Sequence, residues 1–89
     1  MKNNRLSKKI LKYTVIFEPA EERGYVVTVP SLPGCHTQGE TFEEAVEMAQ
    51  DAISGYLAVL KEEGRDIPIE MDETVITKVS VEEPFYQAP

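Results

Sequence analysis

The stretch that most constrains this chain is Pro30–Leu60, PSLPGCHTQGETFEEAVEMAQDAISGYLAVL, which leaves a Pro/Gly-punctuated turn and enters the one long helical pattern. Phe42, Ala45, Val46, Ala49, Ala52, Ile53, Tyr56, Leu57 and Leu60 recur at helical spacing, while Glu43, Glu47, Gln50, Asp51, Ser54 and Lys61 fall on the other side. Thr41 and Glu44 have capping-box spacing: the hydroxyl accepts from the Glu44 amide and the carboxylate returns to the Thr41 amide. Gly64 stands where a left-handed residue ends a helix, so the pattern predicts a helix over Phe42–Glu63. A single amphipathic helix needs an apolar surface to cover, and the rest of the chain has to supply it.

Tyr13–Glu18 alternates, with Tyr13, Val15 and Phe17 on one side and Thr14, Ile16 and Glu18 on the other, as a strand with one buried face does. Pro19–Gly24 is turn chemistry, and Tyr25–Val29 is the β-branched return strand, ended by Pro30, which has no amide hydrogen for a ladder. Leu32–Pro33–Gly34 is a second turn, and Cys35–Gln38 a short third strand before Gly39 releases the chain into the helix. Beyond a charged connection broken by Gly64 and Pro68, Thr74–Val81 alternates again, Val75, Thr77, Val79 and Val81 opposing Thr74, Ile76, Lys78 and Ser80. The order is therefore β-β-β-α-β, a two-layer α+β domain over residues 13–82. An arm (1–12) precedes it and a loose tail (83–89) follows. Three strands form a meander and the crossing helix lets the fourth return parallel to an earlier one. With Tyr13, Phe17, Tyr25, Val27 and Val79 beneath the helix, Ile16, Val26 and Ile76 are left on the open face, which favours a homo-oligomer, a dimer or a multiple of one.

Charge is unevenly spread. The net charge is −7, and Lys2, Arg5, Lys8, Lys9 and Lys12 give the arm +5, which leaves −12 for the remainder. So acidic a body is a poor nucleic-acid binder and suits a basic protein partner. The arm reads as a mobile segment, with an electrostatic contact to nucleic acid or anionic lipid as its functional alternative. One cysteine forms no intramolecular disulfide, and neither a leader pattern nor a membrane-spanning apolar run occurs. A cytoplasmic protein is expected.

The segment Tyr25–Ala45, YVVTVPSLPGCHTQGETFEEA, resembles the HicB-like antitoxin family. Gly24–Tyr25, Val29–Pro30, Leu32–Pro33–Gly34–Cys35, Gln38–Gly39 and Thr41 with Glu43–Glu44–Ala45 carry the match, which extends more loosely from about Tyr13 to about Pro68. The resemblance implies a partial, degenerate ribonuclease-H-like fold and an antitoxin that binds a small basic ribonuclease toxin, HicA. Many members carry a further domain that binds operator DNA. Here about twenty residues follow Pro68 and most are needed for the fourth strand, so no dedicated DNA-binding domain is expected.

Ribonuclease chemistry with two cations would need several carboxylates converging on metals about 4 Å apart. Glu18 ends its strand, the fourth strand has no acid between Thr74 and Ser80, and Glu43, Glu47 and Asp51 trace a solvent-facing helix row. Cys35 and His36 are adjacent on a strand and point to opposite faces, which suits neither a shared metal nor a nucleophile–base pair. Cys35 reads as a small buried hydrophobe, His36 as an open-face residue, and Tyr25 and Tyr56 as core-edge residues with wet hydroxyls. No catalytic residue, cofactor or metal is expected. The reading is a HicB-like antitoxin that neutralises a small basic HicA-type ribonuclease, with Glu43, Glu47 and Asp51 as its partner-binding residues. The alternative is a stand-alone HicB-like module that binds another protein or itself, without a toxin.

Overall fold

The computed structural model describes residues 9–85 and 87–89, so most of the expected basic arm lies outside the described residues. Among the described residues are three strands and one helix, β1 (Ile16–Pro19), β2 (Tyr25–Thr28), β3 (His36–Gly39) and α1 (Phe42–Glu62). The strands form one antiparallel sheet in the order β1-β2-β3. Register places Phe17, Val27 and Thr37 in one cross-strand row, and Ile16, Thr28 and His36 in the next. Because side chains alternate, the first row faces α1 and the second faces solvent. Val27 is fully buried, whereas Ile16 and Val26 are 41% and 44% exposed on the open face, as the alternation implies.

The helix is seated by small residues. Ala45 and Ala49 are buried against Val27, with Val15, Phe17 and Tyr25 packed around them. A Cβ built on Gly39 would stand 2.5 Å from the Ala45 nitrogen and 2.6 Å from its Cα, so the helix start and β3 approach as closely as two backbones can. At Gly24, where φ is +82°, a side chain would run into the Gly39 carbonyl. Phe42 closes this end of the core, its ring 4.9 Å from Phe17 and 5.9 Å from Tyr25.

The Pro30–Gly34 turn is part of the core. The Leu32 amide donates to the Val29 carbonyl (3.0 Å), Cys35 donates to Leu32 (2.9 Å) and Val29 to Cys35 (3.1 Å). These bonds tuck Leu32 inward, and Val29, Leu32 and Cys35 make a buried cluster beneath Ala52, Ile53, Tyr56 and Leu57. The turn was expected only as a connection.

Both helix ends are capped. Thr41 accepts from the Glu44 amide at 3.1 Å, but the Glu44 carboxylate accepts from the Glu40 amide, one residue earlier than the expected Thr41 amide. At the other end Gly64, with φ +70°, donates to the Lys61 carbonyl and Arg65 to the Leu60 carbonyl, the paired bonds of a Schellman stop.

The expected fourth strand is not formed. Residues 74–81 have no strand structure and all are exposed, Val79, expected beneath the helix, at 79%. Alternation and β-branching make a segment suited to a ladder, but a ladder also needs a neighbouring backbone. The stretch before it lies against the start of β1, and a turn in which Thr74 donates to the Met71 carbonyl separates the two. The architecture of the described residues is thus a three-strand sheet with one covering helix.

Gly39→Ala should lower stability by about 1–3 kcal/mol, the usual cost of overpacking a closed contact. Thermal melting of the two proteins tests this, and equal melting temperatures would mean that α1 does not rest on β3.

Candidate functional site

Four-residue spacing on a helix of 3.6 residues per turn sets Glu43, Glu47 and Asp51 in one row, and all three are exposed on α1. Glu43 also lies in the first turn, where the positive end of the helix favours a carboxylate. Among the described residues the ion pairs are Arg23–Glu40 (2.9 Å) and Arg65–Glu63 (3.2 Å), and none of the row takes part in either. The row is therefore an ordered strip of negative charge on a capped helix.

A second feature was not legible in the sequence. The helix lies over β3 and, less, over β2. The inner side of β1 is consequently only partly covered, and a cleft of about 540 Å³ opens there. Tyr13, Val15 and Phe17 form one wall, and Val46, Ile53 and Leu57 the other. The pattern assigned these residues to a closed core. The available signal was side-chain size, since the small Ala45 and Ala49 let the helix settle toward β3 while its larger residues stand over the gap.

At the entry to β1 Glu70 holds the returning chain. Its carboxylate accepts from the Thr14 amide (2.8 Å), the Thr14 hydroxyl (2.7 Å) and the Ser31 hydroxyl (2.7 Å). The Thr14 hydroxyl, then Ser31, then the Thr14 amide, stabilise the anion and lower the Glu70 pKa from the ordinary glutamate value. Beside it the Tyr13 hydroxyl donates to the Pro68 carbonyl, and burial, followed by the Glu70 charge, raises the Tyr13 pKa. These contacts join the segment after α1 to the residues entering β1.

Cys35 and His36 do point apart. Cys35 is buried, which pushes its thiol pKa up, and His36 is exposed on the open sheet face. The Tyr56 hydroxyl donates to the Pro33 carbonyl at 2.8 Å, so this core-edge tyrosine ties α1 to the Pro30–Gly34 turn. Among the described residues, no helix is long and apolar enough to cross a membrane.

The fold is similar to that of the N-terminal domain of antitoxin HicB from Burkholderia pseudomallei. That crystal structure superposes with a TM-score of 0.57 at 34% identity, covering 63% of this chain and 66% of that one. The family model described as HicB_like antitoxin of bacterial toxin-antitoxin system matches residues 13–88. This chain belongs to that family. A UPF0150 protein of Thermoplasma acidophilum is 45% identical over 65 residues, 73% of this chain and 94% of the relative. Antitoxin HicB 1 of Photorhabdus laumondii is 42% identical over 67 residues, 75% of this chain, and antitoxin HicB of Escherichia coli 39% identical over 59 residues, 66% of this chain. The chain spans 43% of the length of each of these two antitoxins.

The Glu70 clamp gives stability a defined pH dependence. Its folded pKa is depressed, so its contribution is present above the usual glutamate range and is lost as pH falls through the lowered folded value. Glu70→Gln should therefore melt below the wild type at neutral pH, with the gap closing in acid. Melting curves of both proteins across that range check this, and a gap independent of pH would show that the carboxylate's charge is not what holds the segment.

Proposed function

We propose that this chain is an antitoxin module that binds and neutralises a small basic ribonuclease toxin of the HicA type, as a binding protein and not as an enzyme. Family membership supports the antitoxin role. The observation that carries the proposed mode of binding is the exposed row Glu43, Glu47 and Asp51 on one capped helix. A ribonuclease presents positive charge where RNA phosphate lies, and carboxylates fixed on a rigid element occupy that charge at a smaller entropic cost than carboxylates on a mobile tail. Charge complementarity chiefly accelerates encounter and weakens with salt, while apolar contact governs dissociation. We read the sheet and helix as a partial ribonuclease-H-like fold retained for binding.

A second reading has its own support. The Thermoplasma acidophilum relative is matched over 94% of its length, so a module of this size occurs with little else attached. On that reading the domain serves another protein partner, or a second copy of itself, without a toxin.

The Glu43→Lys/Glu47→Lys variant should capture the cognate basic ribonuclease at least tenfold more slowly at low salt, with a shallower salt dependence, and should still melt cooperatively, a little lower because Glu43 no longer faces the positive end of the helix. Stopped-flow association at two salt concentrations measures this. Equal rates and equal salt slopes would remove the row from the binding site, and a wild type that neither binds nor inhibits such a ribonuclease would favour the second reading.

A further inference from the structure

We propose that the acid row on α1 continues beyond Asp51 into an apolar seat, Gly55 and Val59, on which a helix of the basic ribonuclease partner docks. This inference deepens the antitoxin reading and rests on it.

A row on a helix takes one residue in every four, so Glu43, Glu47, Asp51, Gly55 and Val59 form a single ridge along α1. Every member of the ridge is exposed. Its character changes along its length, from three carboxylates through a gap to Val59, a branched apolar side chain that is 50% exposed. Met48, 39% exposed, stands on the same side of the helix seven residues before the gap. Neither Met48 nor Val59 belongs to the buried clusters that hold α1 on the sheet.

Gly55 is the one glycine that the fold does not require. Gly24, Gly34 and Gly64 hold positive φ, and Gly39 meets the backbone of Ala45. Gly55 lies inside α1, and a Cβ built there meets nothing within 4 Å. Glycine in mid-helix is a poor helix former because it gives up the most backbone freedom. Alanine would fit at this position and would strengthen α1. The use of the missing side chain therefore lies outside the chain: a bare stretch of helix that another backbone can approach closely.

The surroundings of the gap define its occupant. Helices pack by laying the ridge of one into the groove of the other, and a gap in a ridge lets the two axes come near. A helix crossing at Gly55 covers Met48 and Val59 with an apolar stripe. Lys or Arg on its flank then meets Asp51 and Glu47, which make no ion pair among the described residues. A second copy is the wrong occupant, because its α1 carries the same carboxylates and like charges would meet across the crossing.

Stopped-flow association and dissociation with the cognate basic ribonuclease test the seat. Gly55→Leu should melt no lower than the wild type, since leucine is the better helix former and the space is open. It should nevertheless release the ribonuclease about tenfold faster, with the salt dependence of association unchanged, because contact at the seat governs departure. Gly55→Ala should fall between the two. Equal dissociation from the wild type and both variants would overturn the proposal while leaving the antitoxin reading intact. A wild type that binds no such ribonuclease would overturn both. A change in the mass of the free chain by light scattering on Gly55→Leu would place a second copy on the seat and overturn the proposal as well.

Discussion

The contact on which the rest of this structure depends is the backbone approach of Ala45 to Gly39. A helix can sit on a sheet at almost any lateral offset if only apolar area matters, because burial is non-directional. Here the offset is fixed by the one place where neither element carries bulk, since any side chain at Gly39 would occupy the space of the Ala45 backbone. Ala49 continues the small face over Val27. The helix therefore lies toward β3, and the uncovered strip over β1 is a direct geometric consequence.

This also explains which parts were legible. The helix, its two caps and three strands with their inward and outward faces followed from period, turn residues and spacing, all of which are local. The element ends differ by one to three residues, as with β1, expected from Tyr13 and formed from Ile16. The motif Val29–Cys35 was recognised for its spacing but its physical role was not seen: Pro30, Pro33 and Gly34 bend the chain so that Leu32 can be buried between Val29 and Cys35. Glu70 was missed because its partners Thr14 and Ser31 are 56 and 39 residues away, and no local pattern marks an acid that serves as a clamp. The fourth strand failed for the converse reason. Its local pattern alternates as a strand does, but pairing is a property of two segments, and only one of them belongs to the pattern.

The Glu70 clamp and the Gly39 contact fix opposite ends of one arrangement. The first holds the chain leaving α1 against the entry to β1, and the second holds the entry to α1 against the exit from β3. Between them the helix cannot slide along the sheet without breaking charge-assisted hydrogen bonds at one end or backbone packing at the other. The cleft over β1 therefore has rigid walls, and a site with rigid walls costs less ordering on binding than one assembled by its ligand.

The acid row and the cleft lie on neighbouring sides of α1, with Gln50 and Ser54 at the cleft rim between them. They suit different contacts for physical reasons that do not depend on who the partners are. Carboxylates in water act over about 10 Å at moderate salt, so the row influences encounter before any surface touches and loses that influence as salt rises. The cleft acts only on contact, through removal of apolar surface from water, which salt does not screen. A partner held by both would show fast, salt-sensitive arrival and slow, salt-insensitive departure. Gln50 and Ser54 stand at the cleft rim on the side of the row, so Glu43, Glu47 and Asp51 face water outside the cleft and the two surfaces are separate.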